Sequence, residues 1–166
     1  MRFLFLALLV ICASLNVRAD IAGESLELKL PDAESGVLFQ LSKANPEFTL
    51  LSFWQINCEP CLKDMVMLSG FAEQYSDVRV LGVSISDKKS TRVLWSKHPW
   101  QAQPMPFPTL VNDGFPGELL KRFGNTVAAV PYTVMLNAGR QLCWSAIGQM
   151  SAEQLQQGLS ACRIRA

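Results

Sequence analysis

A nearly continuous apolar run at residues 48–54, Phe-Thr-Leu-Leu-Ser-Phe-Trp, leads within a few residues into Cys58-Glu59-Pro60-Cys61 and then into a helix-patterned segment. An apolar run of this length suits a strand covered on both faces, so the sheet that holds it needs a layer above and a layer below. Proline is tolerated in the first turn of a helix, where its missing N–H is not required, so Pro60 places the helix start at the cysteines. Two thiols two residues apart can close into a small ring there, and the helix-start amides favour a thiolate at the first sulfur. Cys58 is then the attacking sulfur and Cys61 the resolving one. The competing readings are half of a zinc site and a plain structural disulfide. Zinc needs further ligands at suitable spacing, and Cys143, Cys162 and the single His98 form no second close pair, so no metal site is predicted.

The remaining pattern alternates strands and helices. Leu26, Leu28 and Leu30 alternate with polar residues, and Pro31-Asp32 and Ser35-Gly36 mark turns before Val37-Leu38-Phe39, which predicts an N-terminal strand or hairpin. A helix is predicted over 59–75, with Leu62, Met65, Val66, Ser69 and Ala72 facing the core. A strand follows over 78–85, parallel to the first by the right-handed crossover rule, and a second helix over 90–97. Residues 98–108 carry four prolines and cannot sustain a helix. The aromatics from Trp95 to Phe107 read either as a partner-docking surface or as loop residues tucked against the domain, and His98 is assigned no role. A short helix over 119–123 closes at Gly124, and strands at 132–136 and 142–147 flank the hairpin signal Asn137-Ala138-Gly139-Arg140. Ser151 caps a last helix with Leu155, Leu159 and Cys162 on one face. The simplest closure is an α/β fold, a central mixed sheet with helices on both faces.

Cys143 starts the last strand and Cys162 ends the last helix. About five residues of strand and eleven of helix have similar lengths, so the two cysteines can lie level. A second, structural disulfide and a pair of buried thiols both stay open, because strand alternation can point Cys143 to either face.

At the N-terminus, Met1-Arg2 precedes an apolar stretch from Phe3 to Ala13 that is short for a membrane span, and Val17-Arg18-Ala19 fits a small-residue cleavage site. The reading is a signal peptide at 1–19 and one domain at 20–166, exported to the periplasm or another extracytoplasmic compartment and soluble there. The alternatives are lipidation at Cys12, which the bulky Ile11 disfavours, and an uncleaved anchor. Removing 1–19 takes away Arg2 and Arg18 and moves the formal charge from +1 to −1, so nothing favours nucleic acid. An exported dithiol meets an oxidising compartment and stays reduced only with a supply of electrons, which implies a partner.

Phe53-Trp54 ahead of Cys58-Glu59-Pro60-Cys61, the helix continuation Leu62-Lys63-Asp64-Met65, the strand start Phe107-Pro108-Thr109-Leu110, Val130-Pro131-Tyr132-Thr133 and the turn Gly139-Arg140 together resemble the thioredoxin superfamily. Within it, the chain resembles the exported TlpA/ResA/DsbE-like thiol-disulfide oxidoreductases over most of its length after residue 19. The resemblance implies a thioredoxin-like fold with an N-terminal strand or hairpin extension and an insertion between the βαβ and ββα halves. It implies a redox-active Cys58–Cys61 disulfide with no separate cofactor. It also implies a cis Val130-Pro131 bond, with Val130, Asn57, Glu59 and Pro60 beside an extended substrate strand. Two positions depart from the family pattern. Asn57 stands where a tryptophan is common, and Ser52 stands where thioredoxin has a buried aspartate. In the exported branch an acidic residue on the active-site helix takes that aspartate's place, and Asp64 matches its position.

Asp64 lies one turn after Cys61, placed to relay the resolving proton, or else is an ordinary solvated helix carboxylate. Glu59 reads mainly as a solvent-facing residue. Both negative charges disfavour a thiolate and so make the couple more reducing. The predicted function is a protein disulfide reductase acting as a monomer. The resemblance implies substrates such as apocytochrome c haem-binding cysteines or metal-site cysteines, and a membrane electron-donor thiol protein. The alternatives are an oxidase or isomerase of the same fold, a copper-binding chaperone using Cys58 and Cys61 as soft ligands, and a redox-inactive binding module.

Overall fold

The computed structural model describes residues 23–97 and 107–164. The expected signal segment and cleavage site, Cys12, His98 and the prolines at 99, 104 and 106 lie outside the described residues. The elements run β1 (Lys29–Pro31), β2 (Leu38–Gln40), β3 (Phe48–Trp54), α1 (Glu59–Gln74), β4 (Val78–Ser84), α2 (Lys88–Lys97), β5 (Thr109–Val111), α3 (Pro116–Arg122), β6 (Tyr132–Leu136), β7 (Leu142–Ile147) and α4 (Ala152–Ile164). β1 and β2 pair as the N-terminal hairpin. The other strands form one sheet in the order β5-β4-β3-β6-β7. β4 lies parallel to β3 and β5 parallel to β4, while β6 is antiparallel to both β3 and β7. This is the expected mixed sheet, with the apolar run of β3 at its centre and every residue of that strand buried.

Alternation along β3 feeds two cores. Phe48, Leu50 and Trp54 join Val78, Val80 and Met135 under α1 and α4, which contribute Cys61, Met65, Leu68, Leu155, Leu159 and Cys162. Leu51 and Phe53 face the other way, with Leu81, Val83, Val134 and Tyr132 under α3 and the N-terminal Leu26, Leu28 and Leu41. On that face the Phe53 ring lies 5.3 Å from Phe123 and 5.8 Å from Tyr132, whose hydroxyl donates to the Phe123 carbonyl at 2.7 Å. Fully burying each such apolar side chain contributes about 1.5–3 kcal/mol, so both layers are needed to hold a central strand of this composition.

Several elements differ from the sequence-based expectation. The core face of α1 consists of Cys61, Asp64, Met65, Leu68 and Phe71, whereas Val66 is 65% exposed. The apolar residues chosen from the sequence were about one position out of phase, because the buried stripe follows Cys61 at steps of three and four and includes a carboxylate that no hydrophobic pattern would count. α2 begins at Lys88, two residues early, where Asp87 Oδ1 accepts the Ser90 amide at 2.9 Å. α3 begins at Pro116, which fits a first-turn proline. Leu26 and Leu28 are buried as their alternation predicts, yet lie before β1 and are held by single backbone bonds to Arg140 and Leu41. Phe107 is buried in the α1 core, the tucked alternative for that residue; the rest of the proposed docking segment is outside the described side chains.

The C-terminal unit closes the α1 side. Ser151 and Gln154 form a reciprocal cap, the Ser151 hydroxyl accepting the Gln154 amide at 3.2 Å and Gln154 Oε1 accepting the Ser151 amide at 2.8 Å. Between Met135 and Leu136 the β6–β7 pairing advances one residue on β6 and two on β7, from Trp144 to Leu142. Cys143 is the extra residue of this bulge, so strict alternation fails at the position where it was needed. Both neighbours meet α4: Cys143 is joined to Cys162 by a disulfide with Cα atoms 5.1 Å apart, and the Trp144 ring lies where a Cβ at Gly158 would come within 2.6 Å.

Candidate active site

Three segments converge on Cys58 and Cys61. The first is the turn that leaves β3. The Trp54 carbonyl accepts the Ile85 amide at 2.8 Å, and the Ile56 amide donates to Ser86 Oγ at 3.0 Å. Ser84 Oγ accepts the Ser86 amide at 3.2 Å and shares a 2.7 Å bond with Thr91 Oγ1. A hydroxyl network of Ser84, Ser86 and Thr91 thus holds the turn at Ile56. Cys58 follows as the N-cap of α1, with extended backbone at φ −110° and ψ 92°, and its Sγ accepts the Cys61 amide at 3.2 Å. Such a donor at a helix start stabilises negative charge on sulfur. The two cysteines form a disulfide with Cα atoms 5.2 Å apart; Cys58 is 7% exposed and Cys61 1%, so Cys58 is the more accessible residue of the pair.

The second segment is the turn before β6. Asn125 ties it down, donating its amide to the Leu120 carbonyl at 2.9 Å and its side-chain Nδ2 to Ala129 at 2.7 Å, and Ala128 takes a left-handed φ of 53°. The Val130–Pro131 bond is cis. Val130 is half-buried against the core that contains both cysteines, and no hydrogen bond within the described residues engages its backbone. The Pro131 carbonyl accepts the Gly148 amide at 2.8 Å.

The third is Asp64, which is 1% exposed. Its Oδ1 accepts the Met150 amide at 3.4 Å, and Oδ2 has no hydrogen-bond partner among the described residues. Burial raises its pKa from 3.8 to about 6, partly opposed by the Met150 bond. The solvated-carboxylate alternative for this residue is thereby set aside. Asp64 is thus a buried acid one helical turn from Cys61.

Asn57, Glu59 and Pro60 are exposed around Cys58. Glu59 pairs with Lys63 at 2.8 Å, and that hydrogen bond lowers its pKa. Its charge is balanced by a neighbour and screened by water, so the electrostatic bias assigned jointly to Glu59 and Asp64 rests on Asp64 alone. Gly148, Met150 and the Ser84–Ser86–Thr91 network were missed in the sequence. The first two act through backbone amides, which any residue carries, and the hydroxyl network joins positions up to 30 residues apart. Among the described residues no three of His, Cys, Asp and Glu gather as metal ligands, and no helix is long and apolar enough to cross a membrane.

Comparison with known proteins bears on the same elements. The sporulation thiol-disulfide oxidoreductase A of Bacillus subtilis is 25% identical over 111 residues, which make up 66% of this chain and 64% of that protein. The chain thus spans slightly under two thirds of that relative. A thioredoxin-related protein from Neisseria meningitidis serogroup B superposes with a TM-score of 0.70 at 17% identity, covering 81% of this chain and 98% of the other. A secreted disulfide oxidoreductase of Mycobacterium tuberculosis, described as homologous to E. coli DsbE, superposes with a TM-score of 0.62 at 19% identity, covering 81% and 95%. These likenesses establish the thioredoxin-like fold. Residues 22–143 match the AhpC/TSA family, a span that includes β3, both active-site cysteines, Asp64 and Pro131, and the chain belongs to that thioredoxin-like family.

Proposed function

We propose that this chain is an exported thiol-disulfide oxidoreductase that reduces disulfides in other proteins through Cys58 and Cys61. The observation that carries the reading is the pairing of a helix-capping Cys58, whose Sγ accepts an amide, with a buried Asp64 one turn beyond Cys61. The curated relative from Bacillus subtilis, a thiol-disulfide oxidoreductase by name, supports the same chemistry.

In the reduced protein the Cys58 thiolate attacks one sulfur of a substrate disulfide. A Cys58–substrate S–S bond forms, and the other substrate sulfur leaves as a thiolate and takes a proton from water. Cys61 then gives its proton to ionised Asp64 and attacks Cys58 Sγ. The mixed disulfide breaks, the second substrate thiolate departs, and the Cys58–Cys61 disulfide closes. Two electrons pass from the protein dithiol to the substrate, and a thiol donor must return them. A carboxyl with a pKa near 6 is ionised at neutral pH yet closer in basicity to a thiol than an ordinary aspartate, which suits this transfer. The Val130 backbone, which makes no hydrogen bond to the described residues, is available to pair with an extended substrate segment.

The direction is reductive because Asp64's negative charge in a water-poor site disfavours the Cys61 thiolate, and a less stabilised dithiol is a stronger reductant. Export, delivery of electrons by a membrane thiol protein, action as a monomer and substrates such as apocytochrome c or metal-site cysteines belong to this reading. Cys61→Ala tests it by trapping a mixed disulfide on Cys58. The equilibrium potential then fixes the direction: a value at or below that of thioredoxin, about −270 mV, supports a reductase, whereas one near −120 mV makes the protein an oxidant.

A further inference from the structure

The second disulfide has no part in this exchange, yet the ring it closes, residues 143–162, touches the active site twice. At the end of β7 the Gly148 amide donates to the carbonyl of Pro131 at 2.8 Å. Two residues later the Met150 amide donates to Asp64 Oδ1 at 3.4 Å, the one hydrogen bond to that carboxylate among the described residues. Ser151 then caps α4, whose Leu155 and Leu159 share a core with Cys58 and Cys61. The position of the 148–151 loop therefore depends on how α4 is seated against β7. That seating is set at the far end by Cys143–Cys162 and along the way by the Trp144 ring against Gly158. A bond as long as 3.4 Å is lost on a small displacement, so this contact is sensitive to where the loop sits.

We propose that the Cys143–Cys162 disulfide is a positioning device for the active site: it fixes the 148–151 loop that places Pro131 and Asp64, and thereby sets the thiol-disulfide equilibrium of Cys58 and Cys61. The inference rests on the exchange reading above. With the ring closed, Asp64 is kept dry and its charge bears fully on the dithiol. With the ring open, the loop moves off, water reaches the carboxylate, its charge is screened, and the Cys58–Cys61 dithiol becomes less unfavourable. Opening the ring therefore makes the couple less reducing.

The test uses Cys143→Ala/Cys162→Ala and, with the disulfide intact, Gly148→Ala. Gly148 has φ +92° with open space around an added Cβ, so an alanine there strains the loop without a clash. Each protein is equilibrated in glutathione buffers at pH 7, and the Cys58/Cys61 equilibrium constant is read by alkylation and mass. The double variant is expected to shift toward the dithiol by about tenfold, the scale of one charge-assisted hydrogen bond and about 30 mV for a two-electron couple. Gly148→Ala shifts it less and in the same direction, and in both variants the Met150 amide loses protection from hydrogen exchange. A folded double variant with an unchanged constant and an equally protected Met150 amide overturns the proposal and leaves the disulfide a staple. Should the double variant not fold, an unchanged constant in Gly148→Ala overturns it. If the wild-type protein shows no reversible Cys58/Cys61 couple, the exchange reading itself fails and the proposal falls with it.

Discussion

The two disulfides of this chain look alike by simple measures. Their Cα atoms are 5.2 and 5.1 Å apart, and each joins one cysteine of 6–7% exposure to one of 0–1%. What separates them is where they sit. Cys58–Cys61 closes a ring at the first turn of α1, so opening it frees almost no chain. Cys58 Sγ accepts a helix-start amide, the residue before the cis proline packs against the same core, and a buried acid lies one turn further along the helix. Cys143–Cys162 joins a strand to a helix across 19 residues, and opening it frees a long loop. Chain-entropy reasoning gives a ring of that size about 3 kcal/mol of stabilisation. Exposure alone does not distinguish a reactive disulfide from a structural one; ring size and the polar groups around the sulfur do.

The sharpest way to break this contrast is to remove one partner of each pair. Cys58→Ser is expected to reduce exchange with a protein disulfide to the uncatalysed background in a turnover assay while leaving the melting temperature nearly unchanged. Residual catalysis would move the attacking sulfur elsewhere. Cys143→Ala/Cys162→Ala should do the reverse, losing about 3 kcal/mol in urea unfolding while exchange persists. Asp64→Asn comes next. Because burial lifts the Asp64 pKa from 3.8 to about 6, the native protein holds a proton that the unfolded chain has released between those values. Stability is therefore full below pH 4 and falls as pH rises through 6, by up to about 3 kcal/mol. The variant should lack this slope and, in the reduced protein, lower a cysteine pKa; parallel stability curves at pH 4 and 8 would contradict the assignment. Gly158→Ala forces a Cβ into the Trp144 ring and should cost about 2 kcal/mol by denaturant unfolding. Ser151→Ala removes one half of the α4 cap, for about 1 kcal/mol in the same assay.

Much of this was legible in the sequence because local rules and tertiary demands agree. β3 is an apolar run and sits at the sheet centre; the 137–140 turn joins β6 to β7; Ser151 caps α4. The placing of Cys58 and Cys61 at the start of α1 could be read because their spacing and the proline between them mark a helix's first turn. The reading slipped where one residue serves two purposes. Asp64 occupies a core position on α1, so a hydrophobic pattern shifts the helix face onto Val66, which is in fact exposed. Cys143 is the extra residue of a bulge, and no alternation rule predicts where pairing will skip. Met150 holds Asp64 by a backbone amide 86 residues away, for which the sequence has no mark.

The most direct test of the account is to titrate the oxidised protein with dithiothreitol and follow both bridges by mass-resolved alkylation. The account predicts that Cys58–Cys61 opens and closes reversibly in the folded protein while Cys143–Cys162 stays closed until the chain unfolds. Opening of Cys143–Cys162 first, or of both together, would contradict the division between a reactive and a structural disulfide on which the rest depends.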